Sequence, residues 1–379
     1  NADSVIRPYR NGRDLAQTSR DKYVLDFLGF SEADLRARFG AAYQHLLDTV
    51  REARRMVFER SQSKDAKEYL ERWWEFGKPR PELRKALAGL NRQIVTVDTA
   101  RHRVFLLADV ATIFDDKVVC IATDHAACLA ILSSQQHVAW ATRAGGWLGV
   151  GNDPVYVKTR CFDPFPFPDL TPTARATLAT LGEELDAFRK ARQAEHPGLT
   201  ITAMYNVLEK LRRGDVLTDE DKRIHERGLI STLKRIHDQI DEVVAAAYGW
   251  PMDLGDEAML ERLVALNKQR AEEEQRGMVR WLRPEFQNPT GKTATTSAAP
   301  ELALEIDETE QKPIFPEATG ERARAVRAAL ITLAKPATPE ELARTFRQGA
   351  RIKKSVADLL ETMAALGQAE ERDGKYFST

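Results

Sequence analysis

The sequence predicts a mixed α/β domain, followed by an all-α helical domain and a small winged-helix-like domain. Three short β-type runs, Ile94–Val97, Val104–Leu107 and Val118–Ile121, lie among helical patterns and indicate the α/β part. An apolar stripe at helical spacing between residues 217 and 244 indicates the helical part. Helical patterns at about 321–334, 338–347 and 352–366, followed by the hairpin pattern GQAEERDGKYF, indicate the last part.

The first 72 residues combine extended segments with a helical pattern. Residues 1–30 read as extended, with a turn signal at Asn11–Gly12 and strand-like alternation over Tyr23–Phe27. Ser31 is a capping residue at the start of a helical pattern that continues to about residue 72. The tandem Trp73–Trp74 that follows predicts core anchors, although its basic neighbours would also suit stacking on nucleic acid.

The division into domains follows changes in pattern. The α/β domain covers residues 1–170 and ends in a helix at about 125–142, a Gly-rich loop and the stretch Phe162–Pro168, which should pack as a structural seam. The helical domain covers 171–285, with helix-start signals at Thr171–Pro172 and Thr218. An acidic, flexible linker at 286–320 then leads to the winged-helix-like domain at 321–379.

Composition excludes several classes of protein. The 379 residues carry a formal net charge of −1 and 43% hydrophobic residues, as in a soluble protein of two or three domains. No apolar run is long enough to span a membrane and no signal peptide is visible, so we expect a cytoplasmic location. Cys120, Cys128 and Cys161 form no CxxC pair and should be small buried hydrophobic residues. The seven histidines show no metal-binding spacing.

The segment 145–152 is the most informative loop. It carries four glycines, and glycine is used where a backbone takes positive φ or lies close to another molecule. Arg143 precedes the loop, and Lys158 and Arg160 follow it. This combination fits a surface that lies against nucleic acid, while the alternative is a structural turn with solvated cations.

Four blocks of sequence carry a family resemblance. They are ERWWEFGKPRPELRKALAGLNR (71–92), TVDTARHRVFLL (96–107), LSSQQHVAWATRAGGWLGVGNDPVYVKTRCFDPFPFPD (132–169) and LTDEDKRIHERGLISTLKRIHDQIDEVVAAAYGWP (217–251). Over roughly residues 5–290 the chain resembles the target-recognition region of MmeI-like (type IIL) restriction–modification proteins and related adenine-specific DNA methyltransferases. The resemblance implies a region that reads double-stranded DNA, with the methyltransferase domain upstream of residue 1. S-Adenosylmethionine is then the cofactor of the parent protein, and no cofactor is expected in this chain.

Candidate DNA contacts follow from this interpretation. Arg and Lys suit phosphates or guanine, Asn suits adenine, and glycines allow the backbone to approach closely. The candidates in this region are Arg101, His102, Arg103, Arg143, Gly146, Gly149, Asn152, Lys158 and Arg160. A double alanine change at Arg101 and Arg103 should lower duplex affinity and flatten its salt dependence. The alternative for Arg101–Arg103 is a solvated charge cluster.

Catalytic motifs are not visible in the sequence. The stretch Asn152–Tyr156 imitates the adenine-site motif of amino-methyltransferases, but it has Asp153 and Val155 where that motif needs prolines, and we interpret it as a loop. The chain alone should therefore bind DNA weakly and transfer no methyl group.

The C-terminal domain offers a second candidate surface. Arg351, Lys353 and Lys354 stand at the start of its third helix, where recognition helices contact the major groove. Arg351 and Lys354 are therefore candidate DNA contacts, and docking of a protein is an equal alternative. For the whole chain, the alternatives are a stand-alone DNA-binding adaptor and a scaffold that binds proteins but no DNA. A steep loss of affinity with salt would distinguish DNA binding from the scaffold.

Overall fold

The computed structural model describes residues 5–17, 19–148, 153–291, 315–316, 322, 325–330, 336–346, 348–365, 369–372 and 375–378. The chain divides into two compact units, Asn1–Thr295 and Thr296–Thr379. Each unit is described by itself.

The first unit contains both strands and helices. Its strands are β1 Ile6–Arg10, β2 Lys22–Leu25, β3 Arg92–Val97, β4 Leu106–Asp109, β5 Ile113–Phe114, β6 Val118–Ile121, β7 Gly146–Leu148 and β8 Asp153–Val155. Its α-helices are α1 Gly12–Ala16, α2 Glu32–Arg38, α3 Gly40–Leu46, α4 Glu52–Ser61, α5 Lys64–Glu71, α6 Pro81–Leu87, α7 Ala126–Ser133, α8 Gln135–Ala144, α9 Pro172–Glu195, α10 Ile201–Arg213, α11 Asp219–Gly228, α12 Ile230–Tyr248, α13 Asp256–Gln275 and α14 Pro284–Gln287. Two π-helical turns lie at Leu47–Arg51 and Lys158–Phe162.

The N-terminal segment forms a small mixed sheet. β1 pairs antiparallel with β2 and parallel with β5. Asn11 does not make the predicted turn, because its side chain accepts hydrogen bonds from the backbone of Arg13 and Asp14 and thereby caps α1. The Asp14 carboxylate accepts the Asn11 N–H in return, which completes a capping box.

The predicted helical region 31–72 is confirmed in outline. Ser31 caps α2 with a capping box, and the helical run breaks at Gln62, whose φ is +51°. Trp73 is buried with Phe27 and Tyr43 in a local core, which confirms its prediction as an anchor. The indole N–H of Trp74 donates to the Phe30 carbonyl at 2.9 Å.

The central sheet has the order β4-β3-β6, and both pairings are antiparallel. Two of the predicted β runs match β3 and β6, whereas the third begins at Leu106 rather than Val104. The single helix predicted at 125–142 is two helices, because the extended Ser134 ends α7 and caps α8. The buried side of this sheet packs Ile94, Phe105 and Leu107 against α7.

The predicted α/β and helical regions share one core. Buried residues of α7 and α8 pack with those of α9, α10, α12 and α13 in a single cluster. The backbones of α7 and α9 approach so closely that a Cβ at Gly182 would lie 2.1 Å from the Ala126 carbonyl oxygen. Arg189 of α9 also donates to the Phe105 carbonyl at 2.7 Å. Residues 1–170 and 171–285 therefore fold together within one unit.

The prediction that Phe162–Pro168 is a structural seam is confirmed. Phe165 is buried against Trp140 and His137. The Pro166 carbonyl accepts a hydrogen bond from the Tyr248 hydroxyl at 2.9 Å, and the Pro164 carbonyl accepts one from Asn267. Because proline lacks an N–H, Pro164 and Pro166 take part in this packing as hydrogen-bond acceptors only.

In the second unit, residues 325–330 are helical, followed by α15 Pro339–Ala343, a 3₁₀ turn Gly349–Ile352 and α16 Lys353–Ala365. The predicted C-terminal hairpin is confirmed as β9 Ala369–Arg372 paired antiparallel with β10 Lys375–Ser378. Ala337, just before α15, bridges Tyr376 of β10. Val326, Phe346 and Leu360 lie in the core of this unit. The predicted linker at 286–320 lies mostly outside the described residues.

Candidate nucleic-acid interface

A cleft of about 1340 Å³ opens on the surface of the first unit. The segment Arg101–Arg103, α8 and Trp147 of β7 line it from the N-terminal half. From the helical half, it is lined by residues of α10 between 205 and 213, by His237 of α12, and by residues of α13 between 256 and 268. The cleft therefore collects several of the predicted DNA contacts beside a surface that sequence reasoning did not include.

The hairpin β7–β8 is held against α8 by Gly145. A Cβ at this position would lie 2.2 Å from the Val155 carbonyl oxygen and 2.8 Å from that of Ala141, so only glycine fits. At Gly146, by contrast, a Cβ would meet no atom within 4 Å. Gly145 is thus the residue that permits close backbone packing, and Gly146 lies at the start of the open strand. The predicted contacts Gly149 and Asn152 lie outside the described residues.

Arg103 does not present its charge to solvent. It is 8% exposed, its guanidinium donates to the Thr96 hydroxyl and to the carbonyls of Val97 and Pro154, and it lies over the Tyr156 ring. Burial lowers the pKa of Arg103 to about 10. The prediction of Arg103 as a DNA contact is therefore corrected: this side chain joins the 98–103 segment to β8.

Arg101 and Arg143 are exposed cations on the part of the cleft that the N-terminal half lines. Arg101 is 61% exposed and lies 3.4 Å from Glu209. Arg143, in the last turn of α8, is exposed and has no hydrogen-bond or ion-pair partner among the described residues. His102, by contrast, is half-buried, and its Nε2 lies 2.7 Å from the side-chain oxygen of Asn206. Arg101 and Arg143 are thus placed to bind an anion.

The helical half adds cations that the sequence did not single out. Arg212, Arg213 and Lys268 line the same cleft. Two arginines at the end of a helix are ordinary partners of the helix dipole, so nothing in the local sequence distinguished them. Arg212 contacts the Asp241 carboxylate at 3.2 Å, and Arg213 pairs with Glu209.

Acidic residues line the part of the cleft formed by α13. Asp256, Glu257 and Glu261 are exposed near the start of this helix. Because carboxylates repel phosphates, a nucleic-acid backbone bound in the cleft would avoid these three residues. The cleft lining therefore carries both signs of charge.

Lys158 and Arg160 do not line this cleft. They belong to the π-helical turn Lys158–Phe162, where Lys158 is exposed and pairs with Asp163 at 3.7 Å, and Arg160 is half-buried. Arg351 and Lys354 belong to the second unit, where both are exposed at the 3₁₀ turn and at the start of α16. Lys353 beside them pairs with Glu340 at 2.8 Å.

Two buried ionisable groups, His137 on α8 and Asp241 on α12, belong to helices that contribute to the cleft lining. The His137 ring donates from Nδ1 to the Leu132 carbonyl at 2.8 Å and accepts at Nε2 from the Tyr156 hydroxyl at 3.1 Å. Burial lowers the pKa of His137 to about 3, so the ring is neutral. Burial likewise raises the pKa of Asp241 to about 6, although the Gln135 N–H and Arg212 favour its charged form.

The structure also describes the three cysteines and bears on metal binding and membrane spans. Cys161 is buried as predicted, whereas Cys120 and Cys128 are half-buried, and burial raises the pKa of both to about 12. Within the described ranges, no three His, Cys, Asp or Glu residues are grouped to hold a metal ion. Also within them, none of the helices has the length and apolar character required to cross a membrane.

The chain is similar to known proteins in sequence and in fold. Residues 1–169 match the family described as "MmeI, target recognition domain". A solved structure of the type IIL restriction-modification enzyme MmeI in complex with DNA is similar in fold, with a TM-score of 0.52 and 14% identity. The match covers 72% of this chain and 32% of the other, so this chain spans about a third of its length. Among curated proteins, nothing matches the chain.

Proposed function

Because residues 1–169 belong to the family of MmeI target recognition domains, we propose that this chain reads the sequence of duplex DNA for a type IIL restriction–modification enzyme. The observation that carries the proposal is that the exposed side chains of Arg101 and Arg143, both in the matched region, line one cleft together with residues of α10, α12 and α13. Two cations beside an open cleft suit phosphates, which fix the register of a protein on the duplex.

The base sequence would be read by other residues of the recognition region. Asn152 has the type of side chain that pairs with adenine, and glycines such as Gly146 and Gly149 have no Cβ to keep DNA from the backbone. His102 lies at the cleft and can contact a base edge or phosphate. Lys158 and Arg160, outside the cleft lining, would contact the DNA backbone beyond it.

The chemistry of the parent enzyme is methyl transfer from S-adenosylmethionine to the amino group of adenine, in a separate methyltransferase domain. The described residues do not fit a catalytic role of this kind. In the one stretch that imitates the adenine-site motif, Asp153–Val155 forms β8 and Tyr156 is buried against His137. This chain would therefore supply specificity while the partner domain flips and modifies the base.

The second unit is a winged-helix-like domain in this proposal. The bridge between Ala337 and Tyr376 supports it, because it pairs one residue that lies between the first two helical segments with the C-terminal hairpin. Arg351 and Lys354, at the start of α16, would make a second DNA contact. Docking of a protein partner is the competing role, and removal of residues 296–379 with unchanged DNA affinity would favour it.

A selection from a randomised duplex library tests the proposed function. The chain is incubated with the library at moderate salt, and the bound fraction is sequenced. Enrichment of one short motif containing an adenine supports target recognition, whereas binding without a motif indicates a surface that needs its methyltransferase domain to read sequence. If no DNA is retained at low salt, the scaffold alternative replaces the proposal. A stand-alone adaptor would lack methyltransferase motifs in the coding region upstream of residue 1.

A further inference from the structure

Trp147 is a large aromatic side chain exposed at the cleft. Trp147 is 53% exposed, whereas Trp73 is 3% and Trp140 is 8% exposed, and these two pack in cores. Trp147 belongs to β7 and lines the cleft together with Arg101 and Arg143. More than half of the Trp147 surface is therefore accessible to a partner that enters the cleft.

The backbone that carries Trp147 is fixed on several sides. Trp147 pairs with Pro154 in the β7–β8 hairpin, and Pro154 is buried. The Pro154 carbonyl accepts hydrogen bonds from Arg103 at 3.1 Å and from the Ala100 N–H at 3.4 Å. Gly145, two residues before Trp147, packs directly on the Val155 carbonyl. The ring is therefore presented from a rigid support, which lowers the entropy lost when it binds a partner.

The surroundings indicate what the ring contacts. Arg143 lies four residues before Trp147, and its exposed guanidinium suits a phosphate. Aromatic rings beside cations are the arrangement that proteins use to stack on bases while they hold the nucleic-acid backbone. The carboxylates of Asp256, Glu257 and Glu261 on α13 line the same cleft and would repel a phosphate beside them, so the phosphates are left to the arginines.

We propose that Trp147 packs its indole ring against a nucleobase that the bound duplex exposes, and so adds affinity that does not depend on salt. This inference rests on the proposed DNA-binding function. It differs from a phosphate contact, because the indole carries no charge and releases no counterion on binding. Local unstacking of one base step would give the ring its partner, as apolar wedges do in distorted duplexes.

The test compares alanine and phenylalanine variants at Trp147 with the same changes at Trp281. Trp281 is also exposed, at 37%, but does not line the cleft. Trp147→Ala should weaken binding of the selected duplex about tenfold at every salt concentration, with an unchanged salt slope. Trp147→Phe keeps an aromatic face and should retain most of the affinity, while Trp281→Ala should bind as the unmodified chain does.

Fluorescence gives an independent readout. DNA stacking on Trp147 should quench tryptophan emission, and this quenching should be lost in Trp147→Phe but kept in Trp281→Phe. Thermal unfolding confirms that each variant is folded, since an exposed side chain contributes little to stability. If the unmodified chain binds no DNA, both proposals fail. If it binds and Trp147→Ala binds equally well, or loses affinity only through a smaller salt slope, the proposed function stands and the role of Trp147 is overturned.

Discussion

The guanidinium carbon of Arg103 lies 5.0 Å from the centre of the Tyr156 ring, with the guanidinium above the ring face. The same guanidinium donates to the carbonyl of Pro154. One buried cation thus joins the segment that carries Arg101 to the hairpin that carries Trp147. Arg103, whose charge is buried, therefore fixes the position of these two parts of the proposed DNA surface relative to each other.

Replacement of Arg103 should reduce stability rather than phosphate binding. Arg103→Ala removes the guanidinium that donates to the carbonyls of Val97 and Pro154 and should lower the free energy of unfolding by about 3 kcal/mol. Arg101→Ala should cost less than about 1 kcal/mol, because its pair with Glu209 is exposed. Urea unfolding measures both values, and equal stability of the two variants would contradict the structural role of Arg103.

Phosphate contacts should reside in Arg101 and Arg143. The double change Arg101→Ala/Arg143→Ala should reduce the slope of log affinity against log salt concentration by about 2 units, because each arginine would neutralise one phosphate. The matched control is Arg175→Ala/Arg227→Ala, since both arginines are exposed on helices and neither lines the cleft. Both double variants are titrated with the same duplex at several salt concentrations, which gives the slope for each. A slope that is the same for the two double variants would remove Arg101 and Arg143 from the DNA interface.

The triplet Arg101–Arg103 shows where the sequence stops being informative. Its three residues look equivalent in the sequence, yet one is exposed, one is half-buried and one is inside the fold. What separates them is the partner of each: Glu209 and Asn206 on α10 and Pro154 on β8. These partners are 51 to 108 residues away along the chain, so no local pattern could identify them.

Local features were more predictable. Ser31 and Thr218 cap helices as their sequences indicate, because a capping box is complete within four residues. The final hairpin was also predictable from alternation and turn residues. The shared core of the α/β and helical regions was not, since close packing of α7 on α9 depends on Gly182 meeting a backbone 56 residues earlier, at Ala126.

The two adjacent glycines of the hairpin should differ sharply in their tolerance of a methyl group. Gly145→Ala places a Cβ against the Val155 carbonyl and should cost about 1–3 kcal/mol of unfolding free energy through overpacking. Gly146→Ala meets open space and should change stability by less than about 1 kcal/mol. Thermal or urea unfolding of the two single variants gives the comparison. Equal destabilisation would show that the hairpin does not pack on α8 as described.

The pH dependence of stability should report on Asp241, which bonds to Gln135 and Arg212 of the cleft lining. Its pKa in the folded chain is raised from 3.8 to about 6 by burial, so the folded state holds this proton more tightly than the unfolded state does. The contribution of Asp241 to the free energy of unfolding is therefore fully present below pH 4, falls as the pH rises to about 6, and is constant above that pH. The total change is at most about 3 kcal/mol.

Asp241→Asn should abolish this change, because asparagine does not ionise and its side-chain oxygen can still accept the Gln135 N–H. The quantity to measure is the difference in unfolding free energy between the unmodified chain and Asp241→Asn at several pH values. The groups that face Asp241 are present in both chains: His237 is buried with its pKa lowered, and Arg212 pairs with both Asp238 and Asp241. His137 acts in the opposite direction, since its lowered pKa makes stability fall as the pH drops below 6.5, but that contribution also cancels in the difference. A difference that stays constant from pH 4 to 7 would mean that Asp241 ionises as freely in the fold as in the unfolded chain.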